Sequence, residues 1–187
     1  MQTSINYNIK IILCEIESVL DRIKPHQIEK FIGEILAAKK IVVCGAGRVG
    51  MAIRGFGMRL GHFGLNAYTL GDSTVPGISE GDLLIVASGS GETQSIYDIA
   101  KIAKNNQARI AAITGNPESR IGQLSDILVQ VEAPSKTKKV NGIQSIQPMT
   151  TLNEQSLYIL FDAICLEMMK QMGESHDTMW KRHSNLE

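Results

Sequence analysis

The sequence has little aromatic content and no excess of either charge, and both shortages narrow what the protein can be. Aromatic residues make up 5% of its 187 residues, and 19 acidic side chains balance 19 basic ones. Nucleic-acid binding depends mainly on Lys and Arg side chains that neutralise phosphates. We therefore expect no DNA or RNA partner.

The cysteines are few and scattered. Cys14, Cys44 and Cys165 lie far apart in apolar runs, show no CxxC spacing, and by their odd number leave one unpaired. Cysteines in this setting are typical of reduced core thiols in a cytosolic protein. The sequence therefore predicts a cytoplasmic protein with three thiols in its core.

Long hydrophobic runs are also missing. No apolar run approaches the ~20 residues that a membrane-spanning helix requires. Glu15 and Glu17 interrupt the apolar stretch near the N-terminus, and this excludes the pattern of a signal peptide. We therefore expect no membrane partner.

What the sequence does contain is an alternation of strands and helices. The strands are short, β-branched and apolar on both faces, as in a buried parallel sheet. Strands are predicted at 40–44, 66–70, 82–87, 109–113 and 126–131. Helices are predicted at 5–23, 26–38, between the first glycine turn and His62, and at 94–105, 118–124 and 151–172. This order predicts an α/β fold, a flavodoxin-like three-layer sandwich with a five-stranded parallel sheet.

We assign residues 1–187 to a single domain. It consists of an N-terminal helical arm at 1–38, an α/β core at 39–131, and a loop with a C-terminal helix at 132–187. The first part of the last segment is a long loop of the kind that is usually functional or disordered. The residues that mark this loop are Pro134, Lys136, Lys138, Lys139, Asn141, Gly142 and Pro148.

A turn of sequence SGSGET follows the third predicted strand. Gly89 and Gly91 let the backbone fold tightly and direct several N–H groups at one point, and Ser88, Ser90 and Thr93 add hydroxyl donors. The positive end of the next helix's dipole lies there as well. An ordinary strand-to-helix turn would also fit the glycine spacing. The three hydroxyls within six residues favour a phosphate-binding loop.

A second glycine turn, GAGRVG at 45–50, follows the first predicted strand and fits the pattern GxGxxG. A nicotinamide-binding site would also require an acid near the end of the next strand, and Asp72 is the only nearby candidate. The glycines could equally let the first core helix pack close to the sheet. Arg48, between the glycines, favours an anionic ligand.

These motifs together resemble the sugar isomerase (SIS) domain family. The resemblance covers the chain from about residue 40 to its end. Three further motifs resemble the hexuloisomerases within that family. They are the run IQPM at 146–149, Glu154-Gln155 and HSNLE at 183–187. Many relatives carry Ser where this chain has Val49, so phosphate binding is expected to depend more on the second loop.

The resemblance implies an enzyme, a ketol isomerase of the ribulose monophosphate route. It would interconvert 3-hexulose 6-phosphate and fructose 6-phosphate through an enediol, with no metal and no organic cofactor. The phosphate contacts carried over are Gly47, Arg48 and the hydroxyls and glycines of the second loop. Two other classes stay open, a non-catalytic sugar-phosphate-binding SIS module and a nicotinamide-dependent oxidoreductase.

Moving the carbonyl from C3 to C2 requires a base that takes the C2 proton and returns it at C3. A carboxylate with a raised pKa suits this step, and Glu154 and Glu92 are the candidates. Glu154 opens the last long helix, whose N-cap is predicted at Thr150 or Thr151, and its position alone fits a dipole-stabilising acid. The family motif favours it as the base. Glu92 is expected to be an auxiliary or sugar-orienting group.

His183 completes the predicted catalytic set. In SIS isomerases a histidine is typically contributed across a subunit interface, and the resemblance assigns that role to His183. It could assist the opening of the fructose 6-phosphate ring, since only that substrate closes a ring through O5. The other histidines, His26, His62 and His176, show no metal-ligand spacing.

The apolar stripes of 5–37 and 152–172 exceed what one small sheet can cover. They predict a homo-oligomer, and the resemblance implies a homotetramer with active sites at its subunit interfaces.

Overall fold

The computed structural model describes residues 2–135 and 140–186, with side chains from Ser4 onward. Three lysines of the predicted loop, Lys136, Lys138 and Lys139, lie outside the described residues, as does Glu187 of the terminal motif.

The described chain contains the predicted alternation of helices and strands. The helices are α1 (Gln2–Leu20), α2 (Pro25–Ala37), α3 (Gly47–His62), α4 (Gln94–Asn105), α5 (Arg120–Leu124), α6 (Thr151–Met172) and α7 (His176–Trp180). The strands are β1 (Ile41–Gly45), β2 (Ala67–Thr69), β3 (Leu83–Ala87), β4 (Arg109–Thr114) and β5 (Ile127–Gln130). Every predicted strand is present within a few residues of its expected position. The short helix α7 was not predicted.

The five strands form one parallel sheet in the order β2-β1-β3-β4-β5. In the pairing of β1 with β3, Gly45 lies opposite Ala87. The two strands therefore end level with each other. The glycine turn after β1 and the SGSGET loop after β3 lie at the same edge of the sheet.

Apolar side chains cover both faces of the sheet, so the fold has three layers. Side chains alternate between the faces along a strand. Val43 and Ile85 pack into a core with residues of α1, α2, α3 and α6. Val42 and Leu84 pack on the opposite face into a second core with residues of α4 and α5. The predicted flavodoxin-like three-layer sandwich is confirmed.

The prediction of three core thiols was wrong for one cysteine. Cys44 and Cys165 are buried, and burial raises their pKa values to about 11 and about 12. Cys14 is exposed. The helix α1 buries only the stripe that contains Ile16 and Val19, and Cys14 lies outside it. An apolar run in an outer helix does not show which of its positions face the core.

The glycines of the first turn bring α3 close to the sheet. A Cβ on Gly50 would lie 2.6 Å from the carbonyl oxygen of Gly45, which no side-chain movement can relieve. Gly47 has a φ of +58°, a conformation that residues with a Cβ rarely adopt. The glycines of this turn therefore do let α3 pack close to the sheet, as the sequence analysis allowed.

We predict that Gly50→Ala destabilises the protein by about 1–3 kcal/mol, as overpacking of a close contact does. Gly55 is the matched control, because it lies in the same helix with nothing within 4 Å of an added Cβ. Gly55→Ala should stabilise the protein by roughly 0.5–1 kcal/mol through helix propensity. Urea denaturation at equal protein concentration measures both changes. Equal stability of the two variants would contradict the packing role of Gly50.

Candidate active site

Three segments meet at the edge of the sheet where β1 and β3 end. They are the glycine turn at 45–50, the SGSGET loop at 88–93 and the first turn of α6. Arg48 links the first to the third, since its Nη1 donates a hydrogen bond to Thr151 Oγ1 at 3.1 Å. Asn153 lies against the second, because a Cβ on Gly89 would lie 2.9 Å from its Nδ2. The sequence separates these segments, and the fold brings them together.

The SGSGET loop is shaped by its own hydroxyls and glycines. The Ser88 and Thr93 hydroxyl oxygens are 3.0 Å apart, and the N–H of Gly91 donates to Ser88 Oγ at 3.1 Å. Gly91 has a φ of +69°, and a Cβ there would lie 1.9 Å from Ser119 Oγ. Only glycine fits this position. The N–H of Glu92 donates to Ser90 Oγ at 3.2 Å, so the loop closes on itself above the strand.

The loop leads into an open helix N-terminus. Thr93 is the N-cap of α4, but it makes no side-chain cap hydrogen bond, and the first turn of α4 contains no acidic residue. The first N–H groups of a helix have no partner within it, and its dipole favours an anion. Three hydroxyls next to such an end can hold a phosphate monoester.

Glu154 is a buried carboxylate whose two oxygens have different partners. Its side chain is 10% exposed, and Thr150 Oγ1 donates to Glu154 Oε1 at 2.8 Å. Arg48 Nη1 lies 2.9 Å from Glu154 Oε2, which makes an ion pair. Apart from this ion pair, no N–H or O–H of the described residues donates a hydrogen bond to Oε2. A proton transferred to this oxygen therefore competes with the Arg48 ion pair and with no other contact in the described part of the chain.

The threonines before Glu154 act differently from the predicted N-cap. Thr150 occupies the N-cap position of α6 but makes no side-chain cap hydrogen bond. Its hydroxyl orients Glu154 instead. The hydroxyl of Thr151 donates to the carbonyl oxygen of Pro148 at 2.7 Å. The four-residue spacing of Thr150 and Glu154 is the sequence signal that could have shown the first contact.

Glu92 is fully engaged with Arg120. The backbone N–H of Arg120 donates to Glu92 Oε1 at 3.0 Å, and Arg120 Nε donates to Glu92 Oε2 at 2.7 Å. These hydrogen bonds hold the pKa of the Glu92 carboxyl below its usual value. The Arg120 guanidinium also lies over the ring of Tyr97. Sequence reasoning missed Arg120, because nothing in its local sequence marks it as the partner of a loop 28 residues earlier.

His183 lies far from Glu154, beside the C-terminal end of α3. Its ring packs against His62 and Trp180, with centroid distances of 5.3 and 4.9 Å. Arg48 and His62 are 14 residues apart along α3, which separates them by about 21 Å. The fold of this chain thus does not bring His183 to the Glu154 carboxylate.

The acid that a nicotinamide site would require is also engaged. Arg54 Nη2 donates to Asp72 Oδ1 at 3.1 Å, on the surface beside β2.

Arg48 is half-exposed and faces α6. Of the predicted phosphate contacts, Ser88, Ser90, Thr93 and the two glycines form one loop, and Gly47 and Arg48 lie in the neighbouring turn.

The described residues contain neither a cluster of metal ligands nor a membrane-spanning helix. No group of three or more His, Cys, Asp or Glu side chains among them could hold a metal ion. No helix in the described ranges is long and apolar enough to cross a membrane.

Comparison with known proteins connects this arrangement to a family. The model of the SIS domain matches residues 34–159, which include both glycine-rich turns and Glu154. A Bacillus subtilis protein named 3-hexulose-6-phosphate isomerase is 38% identical over 176 residues, or 94% of this chain and 95% of the relative. A Mycobacterium gastri protein of the same name is 38% identical over 98% of this chain and 92% of its own length.

A solved structure agrees with these matches. It is that of a Methanococcus jannaschii protein, described as one whose structure infers a molecular function of 3-hexulose-6-phosphate isomerase. The fold superposes with a TM-score of 0.84 at 31% identity, over 97% of this chain and 99% of the other. Together these matches confirm the resemblance seen in the motifs: the chain belongs to the SIS domain family.

Proposed function

We propose that this protein is an isomerase that interconverts 3-hexulose 6-phosphate and fructose 6-phosphate through an enediol. The observation that carries this proposal is Glu154, a buried carboxylate whose Oε2 contacts only the cationic Arg48 among the described residues, positioned beside a loop suited to a phosphate. The 38% identity to two proteins named 3-hexulose-6-phosphate isomerase, over nearly the whole of each chain, names the substrate.

The chemistry requires one base that serves both carbons. In the forward direction Glu154 Oε2 takes the proton from C2, the electrons of the C–H bond form the C2=C3 double bond, and the π electrons of the C3 carbonyl move onto O3. The proton of the C2 hydroxyl is transferred to O3, and return of the carbon-bound proton at C3 leaves the carbonyl at C2. The hydrogen bond from Thr150 fixes Oε1, so Oε2 keeps its direction during both transfers.

The phosphate is held away from the reacting carbons. The hydroxyls of Ser90 and Thr93, the glycine N–H groups and the start of α4 supply donors for its oxygens. Arg48 adds a positive charge between this loop and Glu154, where it can meet the oxygens of the enediol or the phosphate. The Glu92–Arg120 pair supports the loop, and we keep for Glu92 only the auxiliary role.

The two other classes have less support. A nicotinamide site would have to take Asp72 from its ion pair with Arg54. A sugar-phosphate-binding module without activity has no need of a buried carboxylate beside the ligand, since burying an ionised group is costly.

We propose further that the active protein is a cytoplasmic homotetramer. Three large apolar side chains on α1, those of Ile5, Ile9 and Leu13, are each about half exposed at 58%, 49% and 55%. A second protomer packed on such a stripe would cover it. The second protomer could then supply its His183 to the site that contains Glu154 of the first. Within one protomer, His183 does not reach that site.

The direct test supplies 3-hexulose 6-phosphate and detects fructose 6-phosphate with a coupled enzyme. We expect turnover without added metal or nucleotide. Binding of fructose 6-phosphate without turnover would favour the non-catalytic module, and activity that depends on NAD or NADP would favour the oxidoreductase.

We predict that Glu154→Gln lowers kcat by about two to four orders of magnitude. The amide keeps the size of the side chain but cannot accept the C2 proton. Exchange of that proton with solvent deuterium, followed by NMR, should stop as well. Glu92→Gln is the control. It should lower kcat by less, because the Glu92 carboxylate is held by Arg120. Normal exchange in Glu154→Gln with loss in Glu92→Gln would reverse the two roles.

We predict that Glu154→Gln and His183→Ala complement each other when co-expressed. If each site takes Glu154 from one protomer and His183 from its partner, random pairing restores about a quarter of the sites. The activity of the mixture, purified through a tag on each variant, should exceed that of either variant alone. A mixture no more active than the average of the two variants would place both residues in one protomer.

A further inference from the structure

The side chain of Asn153 is buried without a partner for its oxygen. Asn153 is 2% exposed, and no donor among the described residues forms a hydrogen bond with its Oδ1. A buried amide oxygen that stays unpaired lowers the stability of the folded protein, because it has lost its hydrogen bonds with water. Native structures keep few such atoms, and each requires an explanation.

The position of Asn153 points to an explanation for its unpaired oxygen. It directly precedes the proposed base Glu154, and its amide packs on Gly89 of the SGSGET loop. A Cβ at Gly89 would lie 2.9 Å from Asn153 Nδ2 and 3.4 Å from Oδ1. The amide thus lies between the place proposed for the phosphate and the carboxylate that takes the proton.

The chemistry of the unpaired atom defines what it can bind. A carbonyl oxygen accepts hydrogen bonds and donates none, so it repels a phosphate dianion and attracts a hydroxyl. In a hexulose 6-phosphate, the groups between the phosphate at C6 and the reacting carbons C2 and C3 are the hydroxyls on C4 and C5. Either one is a donor of the required kind.

We propose that Asn153 is a specificity-determining residue that accepts a hydrogen bond from a substrate hydroxyl on C4 or C5. This inference rests on the proposed isomerase function and extends it. The contact fixes the middle of the sugar chain. It thereby sets the distance between the phosphate in the SGSGET loop and the reacting carbon at Glu154. Glycine at position 89 is required because a larger residue would displace the amide.

The test compares substrates as well as variants. Exchange of the C3 proton with deuterium is measured for fructose 6-phosphate and for its 4-deoxy and 5-deoxy analogues. In the unmodified protein, kcat/KM for this exchange should be at least about tenfold lower for one of the two analogues than for fructose 6-phosphate. In Asn153→Ala the same analogue should lose less than about twofold relative to fructose 6-phosphate.

The ratio between protein variants removes the effect of the open-chain fraction, which differs among the three sugars but not among the proteins. Asn153→Leu repeats the measurement with a side chain of similar shape, for the case in which the alanine variant does not fold. Gln155→Ala is the matched control, since Gln155 in the same helical turn also has an unpaired buried oxygen. It should keep the selectivity of the unmodified protein.

The outcomes separate the two proposals. If the unmodified protein exchanges no proton on fructose 6-phosphate, the isomerase function itself fails. If it exchanges but the variants slow all three sugars by the same factor, Asn153 has only a structural role and the inference is overturned. Loss of selectivity in Gln155→Ala as well would also overturn it, because the effect would then be general to the helix.

Discussion

The parallel pairing of β1 with β3 is the constraint on which the rest of this site depends. It places Gly45 opposite Ala87, so the turn that carries Arg48 and the loop that carries the hydroxyls start at the same height. The helix α6 then closes over this edge and brings Glu154 to Arg48 at 2.9 Å. A slip of the pairing would exchange the faces of every residue in the strand and separate the two turns.

The two glutamates of the site have different environments. Both oxygens of Glu92 receive hydrogen bonds from Arg120, and its pKa is lowered as a result. Glu154 has one oxygen bound by a threonine, while the other forms an ion pair with Arg48 and accepts no further hydrogen bond from the described residues. A proton acceptor must have a lone pair that is not already used. The arrangement therefore supports Glu154 as the base and gives Glu92 a supporting position.

Much of the fold could be predicted from the sequence, because buried parallel strands are short apolar runs bounded by glycine turns. The helix α7 could not, since its five residues depend on a capping box between Ser175 and Thr178 and contribute no buried residue. The SGSGET loop could be identified from its composition. The positions of Asn153 and Arg120 could not, because each depends on packing between segments that are distant in sequence.

A crystal structure with bound fructose 6-phosphate tests the central claim, that the two turns and the start of α6 form one sugar-phosphate site. The account predicts the phosphate within hydrogen-bond distance of the Ser90 and Thr93 hydroxyls. It predicts C2 or C3 of the open-chain sugar about 3–3.5 Å from Glu154 Oε2. A phosphate bound elsewhere, for example in the cleft between α3 and β2 that Asp72 lines, would contradict it.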